Sequence, residues 1–261
     1  MMNRYFAAAI VMAAPALLAA QSPITAANVK FGDPSKIAEI DTDRTAGPPS
    51  RLAWSPDGSQ LYVQMLDGPF QAPAKLTHHT FTIKDGKKKD VQGEPEWVSP
   101  YWTAKSDRAS PDNPAFKIDL KSEVRKERTV SAPMGGDLAR GGGVGGDGGT
   151  ASAGDALSAA YNQQGVPVNT MLLHGEVIGE FVNSVIVPGL TFGWGPKGSH
   201  VIAYAAKNGK VVVMDEKGGR QEMSGTKDAV LPSWSPDGSK LAWLQKDGRK
   251  KYVLHVADVT R

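Results

Sequence analysis

Trp54-Ser55-Pro56-Asp57-Gly58-Ser59-Gln60-Leu61 returns almost unchanged as Trp234-Ser235-Pro236-Asp237-Gly238-Ser239-Lys240-Leu241. A third, degraded copy, Trp194-Gly195-Pro196-Lys197-Gly198-Ser199-His200-Val201, starts 40 residues before the last one (234 − 194 = 40), about the length of one four-stranded propeller blade. Pro56 and Pro236 set φ for the first central position of a tight turn. Asp57 and Asp237 hydrogen-bond amides just beyond it, and Gly58, Gly198 and Gly238 supply the backbone freedom at its exit. Each turn leads into an apolar, β-prone run: Leu61-Tyr62-Val63, Val201-Ile202-Ala203-Tyr204 and Leu241-Ala242-Trp243-Leu244. Two strands cannot bury their faces alone, so units of this kind stack radially, with Trp54, Trp194 and Trp234 as apolar wedges between sheets. One such turn would be ordinary; three with matched flanks define an all-β repeat fold.

The Trp-Ser-Pro-Asp-Gly unit followed by an apolar strand resembles the WD40-like PD40 repeat of TolB-type propellers and of the propellers in prolyl-oligopeptidase and dipeptidyl-peptidase relatives. Two copies match closely and one in part, so the resemblance covers a minority of the chain. It implies a blade type and a β-propeller, and no particular member of that group.

Working outward, Lys36 to Asp41 alternates apolar and polar side chains as an edge strand does, after a lead-in, Gln21 to Ser35, expected to be mobile. A first blade runs from Arg51 to about Val91, with an insertion at Leu66 to Leu76 that Pro69 and Pro73 keep irregular. A second, unmarked blade is expected from Glu96 to Val130, where Trp97 and Trp102 replace the signature Trp, Ser110-Pro111-Asp112 resembles the turn and Phe116 to Leu120 alternates. Ala132 to Gly154 is dominated by glycine and is expected to be disordered. A third blade spans Asp155 to Val187, with Ala156 to Tyr161 as a strand (a short helix over Ala151 to Gln164 is the alternative) and a hairpin around His174-Gly175. The fourth is Gly189 to Thr226. The fifth begins at Val230 and stops one strand short after Val259, a deficit that the strand at Lys36 to Asp41 would fill, removing two exposed edges. The expectation is therefore a propeller of four-stranded blades, five in number with six possible, closed by the N-terminal strand.

The start of the chain, Met1 to Ala20, carries one basic residue, Arg4, and an apolar run from Phe6 to Leu18 ending in small residues. That is a signal-peptide pattern with cleavage after Ala20, leaving a periplasmic or secreted protein without an integral membrane segment. The chain has no cysteine, which excludes a lipid-anchoring Cys, disulfides and thiolate metal sites. Net charge is +3 from 30 basic and 27 acidic residues, too little to recruit nucleic acid. The runs Lys87 to Lys89 and Arg249 to Lys251 read as solvated hairpin tips.

No catalytic kit is legible. Thr150-Ala151-Ser152-Ala153-Gly154 lacks the first Gly of a nucleophile elbow. Gly143-x-Gly145-x-x-Gly148 fits a dinucleotide fingerprint only formally, without a strand before or a helix after it. Gly142 to Asp147 lacks the tandem copies of a calcium β-roll. His78 and His79, adjacent in a strand, point to opposite faces and do not share a metal. His174, His200 and His255 read as ordinary polar side chains, and Asp57, Asp67 and Asp237 as unpaired carboxylates. No cofactor and no metal is expected. The favoured function is an exported, non-catalytic propeller that binds a protein partner of the cell envelope, with Leu66 and Phe70 in the proline-bearing insertion as apolar anchors. The alternative is a propeller enzyme or carbohydrate-binding protein with its site in the central channel, where facing carboxylates would mark it.

Overall fold

The computed structural model describes residues 24–41, 49–67, 75–106, 108–125, 166–182, 192–248 and 251–261. The leader at Met1 to Ala20, Phe70, the glycine-rich Ala132 to Gly154 and the strand or helix expected over residues 151–164 lie outside them.

Two strands, β1 (Lys30–Phe31) and β2 (Ser35–Asp41), precede a four-stranded antiparallel sheet of β3 (Pro49–Trp54), β4 (Gln60–Asp67), β5 (Lys75–Thr82) and β6 (Lys88–Val91). Helix α1 (Val98–Ser106) follows, then β7 (Asp119–Arg125), which pairs with β8 (Val166–Leu173), itself paired with β9 (Glu176–Val182). The third sheet is β10 (Phe192–Trp194), β11 (Val201–Ala205), β12 (Val211–Asp215) and β13 (Arg220–Glu222). The last holds β14 (Ala229–Trp234), β15 (Lys240–Lys246) and β16 (Lys251–Thr260), with β1 and β2 both on β16. The protein is nearly all-β, and α1 is the single α-helix among the described residues.

The sheets stack because their strands are apolar on both faces. In β11, Val201 and Ala203 pack towards Trp234, Leu241 and Trp243 of the last sheet. Ile202 and Tyr204, one residue out of phase, pack towards Phe116, Ile118, Met171 and Leu173 of the second. Likewise Leu61, Val63 and Met65 of β4 join Val230, Leu244 and Leu254 of the last sheet, whereas Tyr62 turns to Val98 at the start of α1. The packing order is thus α1, first sheet, last sheet, third sheet, second sheet.

The repeated turns fold identically. Ser55 Oγ donates to Asp57 Oδ1 at 2.5 Å, and the Ser59 amide and hydroxyl donate to Asp57 at 3.1 and 2.7 Å. The Ser235, Asp237 and Ser239 equivalents are 2.6, 3.0 and 2.7 Å. Gly58, Gly198 and Gly238 sit at φ 69°, 79° and 73°, the left-handed region that glycine enters without penalty. Hydrogen bonds from Ser55 and Ser59 hold the Asp57 carboxyl down at about 2. At Asp237 burial pushes upward, and the bonds from Ser235 and Ser239 outweigh it. The degraded copy has Lys197 in place of the aspartate. There the Gly198 amide donates instead to Asp112 Oδ2, at 2.8 Å, from the second sheet's own turn.

The N-terminal strand does join the last sheet, with Lys251 opposite Asp41 and Val253 opposite Glu39. Four other expectations change. The segments read as separate second and third blades form one sheet, because Asp119 lies opposite Leu172 and Arg125 opposite Val166; the described residues therefore give four sheets. Ser110-Pro111-Asp112 does turn, bringing Ala109 opposite Lys117. Trp97 and Trp102, however, do not replace the signature Trp: Trp97 precedes α1 and Trp102 lies within it. Pro100 is tolerated there because the first helical turn has no partner for its missing N–H.

The lead-in is also ordered from Ile24 onward. Thr25 and Asn28 bond reciprocally through amide and side chain at 2.7 and 3.2 Å, and Ile24, Ala26 and Val29 are buried. Short polar residues between buried apolar ones hide this strap from periodicity. Finally, the insertion is shorter than Leu66 to Leu76, since Leu66 and Leu76 lie opposite each other in the ladder.

Candidate functional site at the centre of the sheets

Strands β3, β14 and β10 lie side by side, and α1 packs against both β3 and β10, so these four elements surround a common centre. The approach is close: a Cβ on Gly193 would stand 2.7 Å from the Pro232 carbonyl oxygen. The β14 ladder is irregular between Val230 and Ser233, and Leu231 within that irregularity has φ 54°, a conformation that stores strain in a residue other than glycine.

The helix is tied in by its polar groups. Tyr101 OH bonds to Ser233 Oγ at 2.7 Å and to the Trp234 carbonyl oxygen. Ser233 Oγ donates to the Leu52 carbonyl oxygen at 3.2 Å, and Trp54 Nε1 donates to the Ser233 carbonyl oxygen at 2.9 Å. One turn on, Lys105 Nζ donates to the Gly195 carbonyl oxygen at 2.8 Å. The Arg51 guanidinium lies 5.6 Å over the Trp102 ring and pairs with Glu94. Burial holds the Tyr101 hydroxyl well above its usual range, against the bond to Ser233. Burial also pulls Lys105 down to about 8, with Asp112 opposing. The small cavity between α1, β3, β10 and β14 has room for about one water molecule. Among the described residues its lining includes Lys105 and no carboxylate.

A pH dependence follows from Lys105. The folded chain binds its proton less tightly than the unfolded chain, where the amine has its ordinary value of 10.5. The penalty is complete below about pH 8 and is relieved as pH rises from 8 towards 10.5. Tyr62, raised to about 12 by burial and by Glu94, acts in the opposite sense only above about pH 10. Urea titrations should therefore show the wild type gaining on Lys105→Met between pH 8 and 10. Parallel pH curves for the two proteins would mean that the amine is not desolvated.

A second polar cluster lies on the face of the first sheet that meets the segment entering α1. Ser50 Oγ donates to Gln64 Oε1 at 2.8 Å, Gln64 Nε2 donates to Tyr62 OH at 3.3 Å, and Tyr62 OH bonds to His78 Nδ1 at 2.6 Å. The imidazole tautomer of His78 sets which of the two donates in the Tyr62–His78 bond. His79 has a separate partner, Asp90 Oδ1 at 2.7 Å; burial lowers its pKa against that bond. At the junction of the second and third sheets, His200 Nδ1 and Asn113 Nδ2 both lie 3.0 Å from Glu216 Oε2. His174 stacks on Phe116 and His255 on Trp243. Among the described residues no three His, Asp or Glu side chains gather as a metal site.

Of the residues singled out by sequence, the signature set Trp54, Pro56, Asp57, Gly58, Trp194, Pro196, Gly198, Trp234, Pro236, Asp237 and Gly238 builds turns and sheet contacts. Leu66 is a strand residue opposite Leu76. Tyr101 and Lys105 were missed. Their signal was one lysine ending the uncharged run Trp97 to Ala104, four residues after a tyrosine, a spacing that shares a face only if the run is helical.

No family model matches the chain, and no curated protein does. Among solved structures it aligns with a glucose dehydrogenase at 12% identity, covering 80% of this chain and 81% of that one, with a TM-score of 0.26. An oligogalacturonate lyase aligns at 10% identity over 80% of this chain and 65% of its own, TM-score 0.23. The oligogalacturonate lyase of Vibrio parahaemolyticus aligns at 9% over 83% and 67%, TM-score 0.23.

Proposed function

We propose that the protein is an exported, TolB-like propeller of PD40-type repeats that binds a protein partner of the cell envelope through loops at one end and carries no catalytic centre. In this reading the four sheets form the ring, α1 packs on its inner side against β3 of the first sheet and β10 of the third, and β2 closes the ring. The observation that carries the reading is the small cavity between α1, β3, β10 and β14. With room for about one water and, among the described residues, no carboxylate in its lining, this cavity is not substrate-sized, and blade faces are consumed by stacking, so a partner is left the ends and the rim.

Residues 68–74, between β4 and β5, carry Phe70 beside Pro69 and Pro73 in a stretch of few charges, a composition suited to an apolar anchor.

The test uses the mature chain and its Leu66→Ser, Phe70→Ser double variant as baits in envelope extract. A protein retained by the wild type and lost from the variant, at unchanged melting temperature, is the expected result. Equal recovery, or a large drop in melting temperature, overturns the assignment of these residues to binding.

A further inference from the structure

Several surface lysines of this protein pair with carboxylates. Lys36 pairs with Glu39, Lys88 with Asp90 at 3.2 Å, Lys121 with Glu123 at 3.4 Å and Lys210 with Glu222 at 2.9 Å. Lys105 is different. Its Nζ meets a backbone carbonyl, that of Gly195 at 2.8 Å, and makes no ion pair among the described residues. Its stem runs past the Tyr101 ring, with Nζ 6.0 Å from the ring centre, and it borders the small cavity beside Leu52, Phe192 and Leu231. Part of the side chain still reaches solvent, so the amine has a way in from outside.

We propose that Lys105 is a nucleophilic amine that condenses with a small, uncharged aldehyde to form an imine at the centre of the sheets. The chemistry follows from the surroundings. An ammonium ion is best stabilised by water or a paired carboxylate; here Nζ meets one carbonyl oxygen and Asp112 acts only as a nearby charge without an ion pair, so burial outweighs it and favours the neutral amine. Lysines desolvated in this way are the ones that form Schiff bases. The nitrogen lone pair attacks the carbonyl carbon, the C=O bond opens to a carbinolamine, and the two amine hydrogens leave with that oxygen as one water molecule while C=N forms; no oxidant or reductant takes part. Size limits the ligand to one or two carbons, since the cavity holds about one water. Charge limits it too, because Lys105 is the one charged side chain among the described lining residues, and no second cation there can receive the carboxylate of a 2-oxo acid.

The folded full-length chain is treated at pH 7 with limiting formaldehyde or acetaldehyde and cyanoborohydride as a trap, and the alkylated lysines are mapped by mass spectrometry. Lys105 should be modified about tenfold or more faster than Lys88 and Lys121, with a rate that rises through pH 8 and then levels. Glyoxylate should give no such preference, and Lys105→Arg, confirmed folded by a cooperative urea transition, should abolish the fast site. Modification of Lys105 no faster than that of the exposed lysines, or only after urea is added, overturns the proposal. Partner recovery by the wild type is a separate readout, so either reading fails without the other.

Discussion

A chain beginning at Thr42 is expected to lose most of its stability, with a collapse of the cooperative urea transition rather than a small shift of its midpoint. Two layers of contact go with the deleted residues. Strand β2 covers the edge of β16 from Lys251 to Val256, and β1 covers its far end, where Lys30 lies opposite Thr260. Beneath them Ile24 and Val29 are 1% exposed in the core between the third and last sheets, and Ile40 is 2% exposed between the first and last. Each such side chain contributes roughly 1.5–3 kcal/mol when fully buried. Three of them amount to about 5–9 kcal/mol, an upper estimate that rivals the roughly 5–15 kcal/mol of a whole domain. A second truncation, beginning at Ser35, keeps β2 and removes the strap and β1. It should fall between the two, and its m-value should stay near that of the full chain. A Thr42 start that melts with the full-length protein would show that neither layer contributes.

How much of this was legible in the sequence depended on whether the signal was local. The turns were, because Ser, Pro, Asp, Gly and Ser carry their own hydrogen bonds: Asp57 and Asp237 close the same network within four residues. The pairing of β2 with β16 was legible by counting, as an orphan strand at one end met a missing strand at the other. What failed was non-local. Residues 98–106 include Val, Tyr, Trp, Thr and Pro, which on propensity belong to a strand or a loop; the helix exists because Tyr101 and Lys105 are held by Ser233 and Gly195, more than 80 residues away in sequence. The same holds for the merged second sheet, whose strands β7 and β8 are separated by 40 residues (166 − 125 − 1). The centre of the molecule was therefore the least readable part. Its lining comes from α1, β3, β10 and β14, and no stretch of sequence contains more than a few of those residues together.

Trp54→Ala should be the most damaging single substitution in the chain, lowering stability by about 3–5 kcal/mol, the range for deleting a buried Trp or Phe. Trp54 is fully buried between the first and last sheets, so its loss opens a void where β3 and β14 meet. The indole also donates to the Ser233 carbonyl oxygen at 2.9 Å, and its removal breaks that bond. The repeat allows the two terms to be separated. Trp234 holds the equivalent place in the last copy and is as deeply buried, yet its Nε1 has no hydrogen-bond partner among the described residues. Phenylalanine keeps most of the apolar volume and drops the donor. At residue 54 it breaks a buried bond; at residue 234 it removes a buried donor that was already unpaired among the described residues, which offsets part of the lost packing. Trp54→Phe should therefore cost about 1–2 kcal/mol more than Trp234→Phe, although the sequence presents the two tryptophans as interchangeable. Equal costs in urea unfolding would mean that the bond to Ser233 contributes nothing, and that the signature tryptophans act through their volume alone.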